Sequence, residues 1–166
     1  MMKHRLFIGV VGDGDCGPAA AAVAQEVGRL LAEAGCALVC GGLGGVMRAA
    51  CQGALSAGGQ TVGILPGDSA AAANPFVAVP IVTGLGEARN VLVAKTSQAV
   101  IAVEGRYGTL SEIALALKLG RPVVGLNTWE LARDGEADQR IVRAATPAEA
   151  VHLAIEMATR ASGEGR

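Results

Sequence analysis

The chain has 166 residues and a formal net charge of −1, and 51% of its residues are hydrophobic while only 2% are aromatic. A chain of this length buries about 70% of the surface of its unfolded state, which is enough for one domain. The near-neutral charge and the scarcity of aromatic rings leave neither a basic groove nor a base-stacking platform, so nucleic acid is not an expected partner. No apolar run approaches the ~18 residues of a membrane-spanning helix, so no membrane partner is expected.

The N-terminus and the cysteines bear on location and on metal binding. Basic residues precede an apolar run, but no small-residue cleavage site follows, so we interpret this run as a first strand and expect a cytoplasmic protein. The four cysteines form no Cys-x-x-Cys pair, and the two histidines lie near opposite ends of the chain. Zinc ligands need close spacing, so no metal site is expected and the thiols are predicted to be free and buried.

Short apolar runs alternate with helix-length segments along the chain. Pro18 suits a first helical position, and Gly35 suits a helix stop. The polar segment 127–138 predicts a surface excursion with one helical turn. In chain order the predicted elements are strand 5–12, helix 18–35, strand 36–40, helix 46–59, strand 60–67, strand 76–84, helix 86–97, strand 99–105, helix 110–119, strand 121–126, strand 139–146 and helix 147–160.

The predicted strands are short and consist almost continuously of Val, Ile, Leu and Ala. Such strands are buried on both faces, which is typical of a parallel sheet covered by helices. The predicted fold class is therefore α/β, as a single Rossmann-like domain with a mainly parallel sheet of about six or seven strands and helices on both faces. Residues 1–160 are expected to form this nucleotide- or cofactor-binding domain, and residues 161–166 a frayed tail.

Three strand-to-helix turns are rich in glycine: GDGDCG at 12–17, GGLGG at 41–45 and EGRYG at 104–108. Ligands of open parallel sheets bind at the carboxyl ends of the strands, where helix N-termini favour negative charge. Glycine also lets a backbone approach an anion closely. One such loop is explained as a tight turn, but three on one edge favour a phosphate-bearing ligand. None matches GxGxxG or the P-loop, which disfavours a standard dinucleotide or ATP site.

The stretch EGRYGTLSE at 104–112 allows two roles for one glutamate. Thr109 followed three residues later by Glu112 matches a capping box at a helix start. The same carboxylate is expected to face the ligand crevice, one turn into a helix beside the third glycine loop. Capping and ligand contact are compatible, so both roles stay open.

Several other side chains near the predicted loops have alternative roles. Arg89 is a cation near a helix start, where it opposes the helix dipole, so it is either a ligand contact or a solvated side chain. Met47 packs either over a planar ligand or in the core. Asp13 and Asp15 either hold a cation or a ribose hydroxyl or stabilise a turn.

Five motifs occur together in this chain: GGLGGVMRAACQGA (41–54), ILPG (64–67), NP (74–75), TGLGEARN (83–90) and GTLSEIALALKLGRPVVGL (108–126). Their combination resembles the Rossmann-like superfamily that includes the LONELY GUY phosphoribohydrolases, often labelled lysine-decarboxylase-like, and the DNA-processing protein DprA. It is most similar to the small branch that contains the molybdenum cofactor carrier proteins. The motifs are weak singly and specific in combination.

The resemblance implies roles for particular residues. The phosphoribohydrolase signature is PGGxGTxxE, preceded by an arginine on an earlier helix. Carried over by position, it makes Arg89 and Glu112 the catalytic pair, and Gly105, Gly108 and Thr109 the cradle of the nucleotide phosphate.

Two positions depart from the hydrolase pattern. Arg106 stands where the hydrolases have bare glycine backbone, and it either crowds the crevice or adds a second cation for the phosphate. Asn90 stands where they typically have lysine. These departures favour the carrier-like branch, and no lysine is arranged to suggest a pyridoxal phosphate site.

The resulting hypothesis is a cytoplasmic binding protein for a phosphate-bearing planar metabolite, either a molybdopterin-type cofactor or a purine nucleotide. The alternative is an enzyme of the LONELY GUY kind that cleaves the N-glycosidic bond of nucleoside monophosphates. A homodimer or homotetramer is expected, because the helices 110–119 and 147–160 carry few charges. The predicted ligand contacts are Gly12, Gly14, Gly41, Gly42, Gly44, Gly45, Met47, Asn90, Gly105, Arg106, Gly108 and Thr109.

Overall fold

The structure is a computed structural model that describes residues 5–163. Its strands are β1 (Phe7–Gly12), β2 (Ala37–Cys40), β3 (Gln60–Leu65), β4 (Val79–Val82), β5 (Ala99–Val103), β6 (Val123–Leu126), β7 (Leu131–Arg133), β8 (Glu136–Asp138) and β9 (Ile141–Arg143). Its α-helices are α1 (Pro18–Glu33), α2 (Gly45–Ser56), α3 (Asn90–Thr96), α4 (Tyr107–Lys118) and α5 (Pro147–Gly163). Short 3₁₀ helices at Ala70–Ala72 and Gly86–Arg89 precede β4 and α3.

Seven strands form one parallel sheet in the order β4-β3-β2-β1-β5-β6-β9. The chain runs outward from β1 to β4 on one side and outward from β5 to β9 on the other. The strand order therefore reverses between β1 and β5, which is where a crevice opens at the carboxyl edge of such sheets. The predicted α/β class and the parallel Rossmann-like sheet are confirmed.

Two hydrophobic layers cover the faces of the sheet. In β1, Ile8 and Val10 join the core under α1, α2 and α5, while Val11 joins the core that includes residues of α3 and α4. All three side chains are at most 2% exposed, which is why the strand is apolar at successive positions instead of alternating.

Helices α1 and α2 pack in backbone contact through two glycines. A Cβ atom on Gly28 would lie 1.9 Å from the carbonyl oxygen of Ala50, and one on Gly53 would lie 1.8 Å from that of Gln25. This packing keeps the two glycine loops that precede the helices close together.

The segment 127–138 forms the antiparallel hairpin β7-β8 and contains no helical turn, so this part of the sequence prediction is wrong. Asp134 and Gly135 make the two-residue loop with φ angles of 53° and 84°. An Asp-Gly pair is a strong hairpin signal because both positions accept positive φ. The signal stands in the sequence as RDGE.

Helix α4 begins at Tyr107, with Arg106 as its N-cap residue in extended conformation. Thr109 is therefore inside the first turn, and the predicted capping box with Glu112 is wrong. The backbone N–H of this N-cap residue, Arg106, donates to the carboxylate of Asp13, 93 residues away in the chain. Sequence proximity alone does not reveal such a partner.

The C-terminal helix and the cysteines differ in part from the sequence predictions. Helix α5 continues through Gly163, and the remainder of the predicted tail, 164–166, lies outside the described residues. Cys36, Cys40 and Cys51 are buried and Cys16 is partly exposed, and all four are free. Within residues 5–163, no helix is long and apolar enough to cross a bilayer, and no group of three or more His, Cys, Asp or Glu side chains could hold a metal ion.

Candidate functional site

Helices α1, α2 and α4 follow strands β1, β2 and β5, which are adjacent in the sheet in the order β2-β1-β5, so their N-termini meet at one edge. Within the described chain, none of these three helices has a side-chain cap or an acidic residue in its first turn. Helix α5 differs, because Thr146 accepts a hydrogen bond from the backbone of Glu149 and that carboxylate accepts one from Ala145. Without side-chain caps of their own, the three helices bring their partial positive charge to one edge of the sheet, which favours an anion there.

The lack of side chains on glycines lets the first two glycine loops, 12–17 and 41–45, pack closely against each other. A Cβ atom on Gly45 would lie 2.1 Å from the carbonyl oxygen of Asp13, and one on Gly44 would lie 2.7 Å from that of Gly14. The N–H of Val46 donates to the same Asp13 oxygen at 3.0 Å. The predicted contacts of loops 12–17 and 41–45 therefore lie together at the crevice.

The third loop turns at Gly105, whose φ of 101° suits glycine alone. A Cβ atom there would lie 2.3 Å from Oγ1 of Thr109. Gly108 differs, because nothing lies within 4 Å of a Cβ atom built on it. Gly105 is thus required by the geometry, whereas Gly108 faces open space.

Arg89 and Glu112, the predicted catalytic pair, are brought together. Nη1 of Arg89 lies 3.9 Å from Oε1 of Glu112, and each residue is 8% exposed. The guanidinium lies against Gly41, where a Cβ atom would come within 2.5 Å of Nη2. Gly41 is the first residue after β2, Arg89 ends a 3₁₀ helix, and Glu112 lies in the second turn of α4. Three separate elements therefore position the pair.

Burial dominates the acidity of Glu112. Removal from water raises the pKa of its carboxyl to about 7, although Arg89 acts in the opposite direction. A carboxyl with a pKa near neutrality can both take up and release a proton at physiological pH, which is the property of an acid-base group.

Three predicted site residues carry buried polar atoms without a hydrogen-bond partner in the described structure: Nε of Arg89, Oδ1 of Asn90 and Oγ1 of Thr109. Buried polar atoms are nearly always paired with protein or water, so unpaired ones need an explanation. These three atoms are inaccessible to solvent in the described structure, so a ligand would contact them only after a local rearrangement.

Arg106 and Asp13 bridge the point where the strand order reverses. The carboxylate of Asp13 accepts from the backbone N–H of Arg106 at 3.0 Å and from its Nε at 2.8 Å. Nε1 of Trp129 donates to the carbonyl of Arg106 at 3.2 Å. The sequence indicates either a ligand role or a turn role for Asp13 and no site role for Trp129. Only the three-dimensional structure shows that both contact the third glycine loop.

Two cavities adjoin this loop. One of about 450 Å³ is lined by Asp13, Gly105 and Arg106, and one of about 640 Å³ lies between β5, β6, β9 and the start of α5. They share Glu104, Asn127, Thr128 and Trp129. The larger cavity is lined by residues of the core that α1, α2 and α5 cover, and it does not include Arg89 or Glu112.

Met47 is a predicted ligand contact that lies in the hydrophobic core. It is 8% exposed, and its Sδ lies 2.9 Å from the position of a Cβ atom on Gly41. The side chain belongs to the core and supports the second glycine loop from behind.

The profile of the family described as SLOG cluster4 family matches residues 5–151. The chain belongs to this family. An uncharacterized protein of Archaeoglobus fulgidus is 49% identical over 119 residues, which span 72% of this chain and 78% of the relative.

Solved structures agree with this assignment. The molybdenum cofactor binding protein of the phototrophic bacterium Rippkaea orientalis is 34% identical, with a TM-score of 0.84 over 94% of this chain and 99% of the other. The Moco carrier protein of Chlamydomonas reinhardtii is 35% identical, with a TM-score of 0.81 over 95% and 99%. DprA of Streptococcus pneumoniae shares the fold at 20% identity, with a TM-score of 0.69 over 89% of this chain and 61% of the other. The predicted superfamily and its carrier branch are confirmed.

Proposed function

We propose that the protein binds a phosphate-bearing planar metabolite, a molybdopterin-type cofactor or a purine nucleotide, at the carboxyl edge of its sheet. The observation that carries this proposal is the meeting of three uncapped helix N-termini at one edge, beside a capped α5 in the same chain. Backbone N–H groups at helix starts bind phosphate without needing lysine.

The similar structures support a carrier or binding role. Two proteins at 34% and 35% identity, aligned over nearly their whole length, are described as binding or carrying the molybdenum cofactor.

Arg106 is the cation best placed for the phosphate. Its side chain is 75% exposed and lines the cavity that contains Gly105, so a ligand can reach it. In the structure the carboxylate of Asp13 takes the place of an anion at this loop. A phosphate that bound here would replace Asp13 as the acceptor of these two hydrogen bonds. It would carry more negative charge than the carboxylate does.

A second candidate function rests on Glu112 and Arg89. A buried carboxyl with a pKa of about 7, held 3.9 Å from a guanidinium, can activate water or stabilise positive charge on a ribose. This favours a phosphoribohydrolase in which Arg89 orients the base or phosphate. Arg106 in place of the glycine of such hydrolases argues for the binding role.

Assembly and location belong to the same proposal: a cytoplasmic homo-oligomer. Exposed large hydrophobic residues include Val79, Ile81 and Val82 on the edge strand β4 and Leu85 just after it. A second subunit could cover this exposed apolar edge strand.

Thermal unfolding tests the proposed function. A ligand that binds only the native state raises its melting temperature. We expect AMP or GMP to raise it by several degrees more than the matching nucleosides do, and Arg106→Ala to reduce the difference. Arg133→Ala on the exposed hairpin serves as the control that removes equal charge. Equal shifts for nucleotides and nucleosides would remove phosphate from the account.

A further inference from the structure

The larger cavity has the dimensions and lining of a small-molecule site. Its volume of about 640 Å³ falls within the range of ligand pockets. Val103, Leu126 and Ala144 give it an apolar wall, and Trp129 adds an aromatic ring. Such a lining suits a flat heterocycle, which buries its faces against apolar groups.

The larger cavity reaches the third glycine loop, 104–108, through the smaller cavity. The smaller cavity, which contains Gly105 and Arg106, shares four lining residues with the larger one. A molecule with its phosphate at Arg106 could therefore extend its ring into the larger cavity. Arg89 and Glu112 are absent from the lining of both cavities.

Three carboxylates line the larger cavity, and two of them already have partners. Glu149 caps the start of α5, and Glu130 forms an ion pair with Arg143. The side chain of Glu104 has no hydrogen bond or ion pair among the described residues, and it lines both cavities. Glu104 is the carboxylate available to a ligand.

The backbone holds Glu104 in an unusual conformation. Its φ is 48°, a left-handed value that is unfavourable for a residue with a Cβ atom. Its N–H donates to the carbonyl of Leu126 at 2.9 Å, and its own carbonyl accepts from the hydroxyl of Thr128. These bonds fix the backbone of Glu104, a partly buried residue that lines both cavities.

A carboxylate in such a place selects between heterocycles by their hydrogen-bond donors. It has two acceptor oxygens and no donor. Guanine and pterin share an edge with a ring N–H beside an exocyclic amino group, which gives two parallel donors to one carboxylate. Adenine offers an amino donor beside a ring nitrogen that only accepts, so it leaves one carboxylate oxygen against a lone pair.

We propose that the larger cavity is the ring subsite and that Glu104 recognises the 2-amino-4-oxo-pyrimidine edge common to guanine and pterin. This rests on the proposed function, since it requires a phosphate at Arg106 to place the ring. It narrows the ligand class to guanine and pterin phosphates and disfavours adenine nucleotides. It also keeps the bound ring on the α5 side of the sheet, in a cavity that Arg89 and Glu112 do not line.

Calorimetric titration with GMP, IMP and AMP tests this assignment. IMP keeps the ring N–H but lacks the amino group, so it isolates one of the two hydrogen bonds. A charge-assisted hydrogen bond is worth enough for about a tenfold difference in affinity. We expect GMP to bind at least tenfold more tightly than AMP, with IMP between them.

The Glu104→Gln variant should lose the preference for GMP over AMP, whereas the matched control Glu136→Gln on the hairpin should keep it. The wild-type series alone decides the matter if Glu104→Gln does not fold. Equal, phosphate-dependent affinities for GMP and AMP would overturn the ring subsite but leave the proposed function standing. Absence of binding by all three nucleotides and by a phosphorylated pterin would overturn both.

Discussion

Arg106 donates two hydrogen bonds, from its backbone N–H and from Nε, to the carboxylate of Asp13 across the point where the strand order reverses. Asp13 follows β1 and Arg106 follows β5, so the contact joins the first and third glycine loops. It lies at the edge of the sheet where α1, α2 and α4 begin. The carboxylate stands where the proposed phosphate would bind, which makes it a competitor for the ligand.

Replacement of that competitor should therefore strengthen binding. We expect Asp13→Asn to raise the affinity for a nucleoside monophosphate several-fold, because an amide keeps the size of the side chain but removes its negative charge. The control is Asp15→Asn, an exposed carboxylate in the same loop. Calorimetry provides the measurement, and unchanged or weaker binding in Asp13→Asn would show that Arg106 does not receive the phosphate.

The raised pKa of Glu112 makes stability depend on pH. Its pKa is about 7 in the native state against 4.5 ordinarily, so the native state binds more protons between these values and stability falls as pH rises through that range. The difference corresponds to about 3 kcal/mol at most. We expect Glu112→Gln to lose less stability than the wild type between pH 5 and pH 8, measured by urea unfolding. Parallel curves for the two proteins would contradict the burial of an ionisable group at this position.

The hydrolase alternative has its own chemical test. If Glu112 and Arg89 act on a ribose, the wild type should release free base from AMP, GMP or CMP during long incubation, and both Glu112→Gln and Arg89→Ala should abolish the release. Arg106→Gly restores the hydrolase-like loop and should raise any activity. Chromatography of the products decides. No release from the wild type and no gain in Arg106→Gly would remove the enzyme, whereas release that survives Glu112→Gln would show that other residues carry the reaction.

The glycines of the third loop differ in what they tolerate. Gly105→Ala should destabilise the fold by about 1–3 kcal/mol, because φ is 101° and the new Cβ atom would meet Thr109. Gly108→Ala should be neutral or stabilising by up to about 1 kcal/mol, since the position is helical and open. Chemical unfolding of the two variants gives the comparison, and equal effects would be inconsistent with this loop geometry.

The sequence was sufficient to predict the sheet. A continuous apolar run such as Ala99–Val103, which is buried at every position, is typical of a central strand in a parallel sheet. Such a run is a local property, so it can be recognised from the sequence. The pairing of Arg89 with Glu112 followed from a resemblance, not from spacing. Asp134 and Gly135 are the sequence signal for the hairpin after β6, where the prediction of a helical turn is wrong.

The remaining features depend on contacts between distant parts of the chain. The N–H of Arg106 donates to a carboxylate 93 residues away, and Arg106 is the N-cap of α4, three residues before the apparent Thr109 cap. The φ of Glu104 is stabilised by Leu126 and Thr128 on the neighbouring strand and its loop. Local propensity carries no information about such partners.

The exposed apolar edge of β4 bears on assembly. We expect sedimentation at tens of micromolar concentration to show an oligomer, and Ile81→Lys to shift it toward monomer, because a buried lysine on an edge strand opposes pairing. Leu119→Lys at the end of α4 tests the low-charge helix 110–119 in the same way. A wild type that sediments only as monomer would contradict assembly at either surface.

The affinity ratio of GMP to guanosine, measured by calorimetry on the wild-type protein, tests the central claim most directly. The two ligands share base and ribose, so the ratio isolates the phosphate. Three uncapped helix N-termini and Arg106 predict that GMP binds at least tenfold more tightly than guanosine. Equal affinities for GMP and guanosine would contradict a phosphate site at this edge of the sheet.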